Sequence, residues 1–171
     1  MRRLSLTLLV CGLIGSPAAL AASTATGDGI LELRNVDAYA TISGKGAIWG
    51  QVDTGRLVVT DPQPGDGQVF VSGAEHSHVW DDGITTSYWG KNIHFRITGG
   101  TYQLKFKALA GDVAVDPAAQ GIDLTAVGVG TMKIAGDVFS TDAGSYALDG
   151  GKWIPVPTST PKTVAFPEPS P

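Results

Sequence analysis

Residues 75–82 (EHSHVWDD) hold two of the three histidines of the chain, His76 and His78, spaced one residue apart and flanked by carboxylates. On a β-strand the two imidazoles would point the same way, about 6 to 7 Å apart, and could reach one metal ion. A metal site needs a third ligand, which His94 or a carboxylate of the same segment could supply. The alternative is a solvated strand edge, because Asp81-Asp82-Gly83 favours a turn.

Aromatic side chains near the ends of predicted strands suggest a second chemistry, the stacking of a ligand on exposed rings. The candidates are Trp80, Tyr88, Trp89 and Trp153. Arg96 lies mid-strand between two apolar residues, where its guanidinium could bind an anionic ligand or pair with a carboxylate across the sheet. Trp49 belongs to the same aromatic set, but it alternates with Ile48, and the alternative for this residue is packing on the second face of a two-layer fold.

The sequence lacks the arrangements typical of the common catalytic sites. It contains no G-x-S-x-G motif for a nucleophilic serine. Asp53-Thr54-Gly55 matches the core triplet of aspartic proteases, but its flanks, Gln51 and Arg56, do not fit and no second triplet is convincing. We therefore predict a protein that is not an enzyme and that has no cofactor.

The first 21 residues are predicted to be a signal peptide. Two arginines precede an apolar run over residues 6–14, and Ala19 and Ala21 form the A-x-A arrangement that a signal peptidase cuts after. The only cysteine, Cys11, lies in this segment, so a mature chain would have no disulfide or thiol chemistry. We expect cleavage near Ala21 and a secreted, periplasmic or cell-envelope protein.

Residues 154–171 carry a proline every few positions and are predicted to be a disordered tail, because proline lacks the amide hydrogen that sheets and helices use. Residues 22–153 then form one all-β domain of ordinary size. No segment after the leader approaches the ~20 apolar residues of a membrane-spanning helix, so the mature chain is predicted to have no transmembrane segment.

Composition also restricts the partners. The formal net charge is −4, and loss of Arg2 and Arg3 with the leader would make it more negative by two. The remaining lysines and arginines are scattered along the sequence, which makes nucleic acid an unfavourable partner. We expect an envelope or extracellular ligand, a glycan or a protein.

The fold class is predicted from glycine content and alternation. The chain has 23 glycines and is rich in β-branched residues, which disfavours helices and suits strands. In residues 92–108, apolar and polar residues alternate on both sides of Gly99-Gly100, a pattern typical of a β-hairpin. Residues 46–61 and 121–137 show the same layout, with turns at residues 53–55 and 128–130.

These patterns predict a single-domain antiparallel β-sandwich or small barrel built from glycine-turn hairpins. The spacing of glycines between strand-like segments, seen in residues 44–50, 94–102 and 121–130, resembles that of small exported glycine-rich all-β bacterial proteins of unassigned function. The resemblance covers about residues 44–155, implies an all-β fold and transfers no site residues.

The function predicted from these observations is that of a noncatalytic exported domain with a structural, adhesion or ligand-binding role. Two alternatives remain open. A carbohydrate-binding module would place two or three of Trp80, Tyr88, Trp89 and Trp153 on one exposed face. A metal-binding protein would bring His76, His78 and a third ligand within coordination distance.

Overall fold

The structure, a computed structural model, describes residues 27–109 and 118–167. These residues form nine strands and no helix: β1 (Gly29–Thr60), β2 (Gln68–Ser72), β3 (His76–Val79), β4 (Thr85–Thr98), β5 (Thr101–Lys107), β6 (Ala119–Gly136), β7 (Ser145–Leu148), β8 (Ile154–Pro155) and β9 (Lys162–Phe166). They belong to one sheet in which every pairing is antiparallel. The all-β prediction is confirmed. The predicted leader, residues 1–21, lies outside the described residues.

The long strand β1 organises the sheet because different parts of it pair with different neighbours. Its residues 40–45 pair with one edge of β5, and its residues 56–60 pair with the other edge of the same strand. Its residues 38–46 and 46–54 pair with successive parts of β6. The pairings therefore form a circuit. The second half of β1 pairs with β5, and β5 pairs with the first half of β1. The first half of β1 pairs with β6, which also pairs with the second half of β1.

The core lies on the inner side of this circuit. Ile42, Leu57, Leu104 and Ile122 come from its four segments, are fully buried and belong to one hydrophobic cluster. Alternation holds along these strands, since the residues between the buried ones are more exposed. Side chains at directly paired positions of antiparallel strands project to the same face, so the outer face carries continuous rows of residues from strands distant in sequence.

The predicted hairpins are wrong, although most of the predicted strand residues are correct. Residues 53–55 lie inside β1 and residues 128–130 lie inside β6, so neither segment is a turn between two strands. The glycines there mark bends and close approaches. Gly46 and Gly128 are directly paired, with φ of 136° and 140°. A Cβ atom on either one would collide with the opposite strand.

Gly99 and Gly100 do form a turn, with φ of 77° and 80°, but the strands that they connect do not pair with each other. β4 and β5 both pair with β1, on opposite edges of its residues 56–60. The amide of Gly46 donates a hydrogen bond to the carbonyl of Gly100 at 2.9 Å, so the turn is tied to the bend of β1.

The prediction of a disordered tail over residues 154–171 is also wrong for its described part. β8 pairs with β7, and β9 pairs with residues 130–134 of β6. Phe166 is 1% exposed and belongs to the core cluster. The prolines flank β9 and leave residues 162–166 free to donate hydrogen bonds to the sheet. Residues 168–171 lie outside the described residues.

Candidate functional site

A row of residues crosses the outer face of β1, β4 and β2. Trp49 is paired with Arg96, and Arg96 is paired with Phe70. All three are exposed; the exposed fraction is 37% for Trp49 and 55% for Phe70. Adjacent strands lie about 4.8 Å apart, which places the two aromatic residues roughly 10 Å apart at their Cα atoms. The row therefore presents two rings with a guanidinium between them.

Next to this row, Trp49 and Trp153 line a groove of about 290 Å³. Its lining also includes the polar residues Glu32, Gln51 and Asp123. The strands position these side chains: Thr125 of β6 is paired with both Glu32 and Trp49, and Asp123 is paired with Gln51. The groove thus spans the first half of β6 and two separate parts of β1.

Trp153 lies in the connection between β7 and β8 and is positioned by Arg34. The guanidinium carbon of Arg34 is 4.2 Å from the centre of a Trp153 ring, within the range of a cation–π contact. Arg34 is itself fixed by pairing with Ser145 of β7. One face of the indole is therefore covered by the cation.

Asp123 has a structural partner in the groove. Its Oδ1 accepts a hydrogen bond from the backbone amide of Asn35 at 2.9 Å. Asn35 has a positive φ of 46°, and the register of β1 against β6 shifts between Leu33 and Val36. The carboxylate therefore stabilises the bulge that brings Arg34 to the rim of the groove.

The groove combines what carbohydrate recognition requires. Aromatic rings can stack against the C–H faces of a sugar, and carboxylate and amide oxygens can accept hydrogen bonds from its hydroxyl groups. The groove is shallow and open on the outer face of a sheet. Such a surface can accommodate a chain that continues beyond the contacting units.

The structure separates the aromatic residues that the sequence suggested. Trp153 lines the groove and Arg96 lies beside it. Trp80 is 50% exposed and follows β3; its Nε1 donates to Ser87 Oγ at 2.9 Å. Trp89 lies on the outer face of β4, whereas the adjacent Tyr88 faces the core cluster. The four predicted aromatic residues therefore do not form one surface.

Trp89 lies among basic side chains rather than in an open groove. Its ring centroid is 5.6 Å from that of His76, and the guanidinium carbon of Arg56 is 5.3 Å from a Trp89 ring centroid. Both neighbours are paired with Trp89 in the sheet register.

The turn that follows Trp80 is held by Asp82. Its Oδ1 accepts hydrogen bonds from the amides of Ile84 and Thr85, at 3.0 and 2.8 Å. The hydrogen bond of the Thr85 side chain, followed by those of the backbone amides, lowers the pKa of Asp82 below its usual value. Asp82 thus has a turn-forming role, as the sequence indicated for Asp81-Asp82-Gly83.

The three histidines of the metal hypothesis are not brought together. His76 and His78 are exposed on β3, where they are paired with Trp89 and Ser87. His94 is five residues beyond Trp89 on β4, roughly 15 Å along the strand, and is paired with Ser72 of β2. Within residues 27–109 and 118–167, no three His, Cys, Asp or Glu side chains are grouped as metal ligands.

Sequence reasoning missed Trp49, Glu32, Gln51 and Asp123 as residues of one groove. Trp49 did carry a signal, because it alternates with the buried Ile48 and so must face outward. The other three could not be connected with it, since their proximity depends on the pairing of β6 with two separate parts of β1.

The comparisons with known proteins add no relative: no family model, curated protein or solved structure matches the chain. The resemblance to small exported β-proteins stays a prediction. The described residues contain no helix that is long and apolar enough to cross a membrane.

Proposed function

We propose that the protein is a noncatalytic glycan-binding domain that acts at the cell envelope or outside the cell. The observation that carries this proposal is the groove between Trp49 and Trp153, with polar side chains along its floor. The predicted signal peptide supports the location. The role is adhesion or retention through a polysaccharide.

The charges of the groove favour a neutral glycan. Glu32 and Asp123 are the acidic residues of its lining, and Arg34 is the basic one. Because charges of both signs line the groove, neither an anionic nor a cationic ligand gains a large electrostatic advantage. Selectivity would come from the positions of hydroxyl groups relative to Glu32 and Gln51, and affinity from the two indole rings.

Binding without hydrolysis is supported by the hydrogen bond that the Asp123 carboxylate accepts. Glycoside hydrolysis commonly uses two carboxyl groups on either side of the scissile bond, one of them a proton donor. Asp123 is instead engaged as an acceptor for the Asn35 amide, which suits a structural carboxylate. Release of reducing sugar from a bound glycan would show that this part of the proposal is wrong.

The test is a glycan array of neutral polysaccharides and oligosaccharides, followed by calorimetric titration of the best ligand. Trp153→Ala and Trp49→Ala are each expected to weaken binding at least tenfold, since each removes a stacking ring, and tenfold corresponds to about 1.4 kcal/mol. Phe139→Ala is the matched control, because Phe139 is a 65% exposed aromatic residue outside the groove.

The control variant should bind as the unmodified protein does, and all variants should keep its circular dichroism spectrum. Absence of binding to every neutral glycan would contradict the proposal. So would tryptophan variants that fold normally and bind with unchanged affinity.

A further inference from the structure

A second groove lies on the outer face where β5 and β6 flank the first half of β1. It has a volume of about 290 Å³, and Lys105, Lys107 and Lys133 line it together with Tyr39 and Thr41. The register explains the cluster: Thr41 is paired with Lys105 on one side and with Lys133 on the other. Lys105 and Lys107 come from β5, and Lys133 comes from β6, 26 positions beyond Lys107 in the sequence.

Arg56 extends the same basic surface. It is paired with Lys107 across the sheet, and its Nη2 donates a long hydrogen bond of 3.4 Å to the carbonyl of Leu109. We name Arg56, Lys105, Lys107 and Lys133 the cationic face. These four positively charged residues lie on one outer face that crosses β6, β1 and β5, in a chain whose net charge is −4.

The part of the chain that the structure describes supplies no carboxylate to the lining of this groove. The outer rows around it are uncharged or basic: Thr41 is paired with Lys105 and Lys133, and Ser43 with Gln103 and Thr131. Two strand spacings separate the Cα atoms of Lys105 and Lys133, about 10 Å. Like charges repel each other, and an anion bound between them would add attractive interactions with both that offset this repulsion.

We propose that the cationic face binds the acidic groups of a glycan, sulfate or carboxylate, as a site separate from the tryptophan groove. Charge complementarity and the spacing of the lysines carry the assignment, because Lys105 and Lys133, with Cα atoms about 10 Å apart, can each contact a different acidic group of one chain. Among the described residues, Tyr39 and Phe106 are the aromatic residues of the groove lining. Phe106 is 1% exposed and buried in the core, which leaves Tyr39 to present a ring, whereas single-stranded nucleic acid is bound on a series of stacking rings. The inference does not depend on what the tryptophan groove binds.

The experiment compares two triple variants with the same change in net charge. K105Q/K107Q/K133Q removes the lysines of the groove, and K45Q/K91Q/K152Q removes three exposed lysines outside it. The probe is a sulfated oligosaccharide, titrated by calorimetry at 50 and 300 mM NaCl. The groove variant is expected to lose at least tenfold in affinity and the control variant less than threefold. Binding by the unmodified protein should weaken with salt, because ions screen the contacts.

Equal losses in the two triple variants would overturn the proposal, since the attraction would then be diffuse. A DNA oligonucleotide of equal charge or an anionic lipid vesicle that bound as tightly as the sulfated oligosaccharide would overturn the assignment to a glycan. Trp153→Ala should keep its affinity for the sulfated probe. The groove variant should keep its affinity for a neutral glycan. The two binding proposals are therefore tested independently of each other.

Discussion

Tyr102 shows how one polar group is accommodated in the core. The residue is 2% exposed, and its hydroxyl lies beside Gly44, where a Cβ atom would be 3.1 Å from it. Burial raises the pKa of Tyr102, because the low dielectric of the core disfavours the phenolate. The neutral phenol is therefore the form that the folded protein accepts.

This raised pKa predicts how stability depends on pH. In the unfolded chain the phenol ionises near its usual value of about 10, whereas in the folded protein it stays protonated to higher pH. The contribution is fully present below pH ~10 and is lost as the pH rises above that value. Urea unfolding between pH 8 and 11.5 should show a smaller decline for Tyr102→Phe than for the unmodified protein.

Tyr88→Phe is the matched control for the loss of a hydroxyl, because Tyr88 is only partly buried. It separates the effect of removing any phenolic hydroxyl from the effect of removing the fully buried one at residue 102. Identical profiles for Tyr102→Phe and the unmodified protein would contradict the role assigned to Tyr102.

At the residue scale, the sequence predicted which side chains face the core better than it predicted which residues lie close together. Alternation correctly placed Leu104 and Phe106 inside and Gln103 and Lys105 outside. It could not show that Trp153 and Trp49 share a groove, since this depends on pairings between residues about a hundred positions apart. Packing on a second layer was the alternative for Trp49, whereas the residue is exposed and lines the groove.

At the element scale, paired glycines allow β1 and β6 to bend together. Gly46 faces Gly128, and Gly44 faces Gly130. Their lack of a Cβ lets the backbones approach closely, and φ at Gly46 and Gly128 lies in a region that other residues rarely adopt. The bend aligns the two halves of β1 on either side of β5.

Gly128→Ala is expected to lower the free energy of unfolding by about 3 kcal/mol or more, because it adds steric overlap to the strain of a positive φ. A Cβ at this position would be only 3.0 Å from Gly46 Cα and closer still to the carbonyl oxygen of Lys45. The control is Gly65→Ala, where φ is 102° but no atom lies within 4 Å. It carries the backbone strain alone and should cost about 1–2 kcal/mol. Equal costs in denaturant unfolding would contradict the steric account.

β9 is predicted to be an integral part of the fold. Phe166 packs in the core against Gly130, where a Cβ would lie 2.6 Å from the Phe166 ring. Phe166→Ala should cost about 3 kcal/mol, the lower end for removal of a buried phenylalanine. Thr163→Ala on the same strand is the control, because Thr163 is exposed, and it should change stability little. Equal unfolding midpoints for the two variants would show that β9 does not contribute to the core.

The errors at this scale have one physical cause. Glycines mark positions where the backbone departs from ordinary strand geometry. A turn, a bend and a close approach of two strands all favour glycine, so the sequence does not distinguish them. Residues 53–55 and 128–130 were therefore interpreted as turns, although each continues a strand. The proline content of the C-terminal segment led to the prediction of disorder for residues 162–166. These five residues contain no proline, and all of them pair with β6.

At the scale of the whole molecule, the closed pairing separates two kinds of outer surface. One carries Trp49, Arg96 and Phe70 across β1, β4 and β2, with Trp153 beside Trp49 in the connection between β7 and β8. The other carries the cationic face on β1, β5 and β6. The sequence indicated scattered basic residues, but strand register gathers Lys105, Lys107 and Lys133 around one groove. The prediction that the protein does not bind nucleic acid was based on the scattered positions of lysines and arginines in the sequence, and it stays a prediction.

The most direct test of the glycan-binding account follows the indole N–H signals of the four tryptophans by two-dimensional NMR during titration with a neutral oligosaccharide. The signals of Trp49 and Trp153 are predicted to shift in proportion to saturation, while those of Trp80 and Trp89 serve as internal references and stay in place. Shifts confined to Trp80 and Trp89, or no shift in any signal with the ligands of the array, would contradict the account.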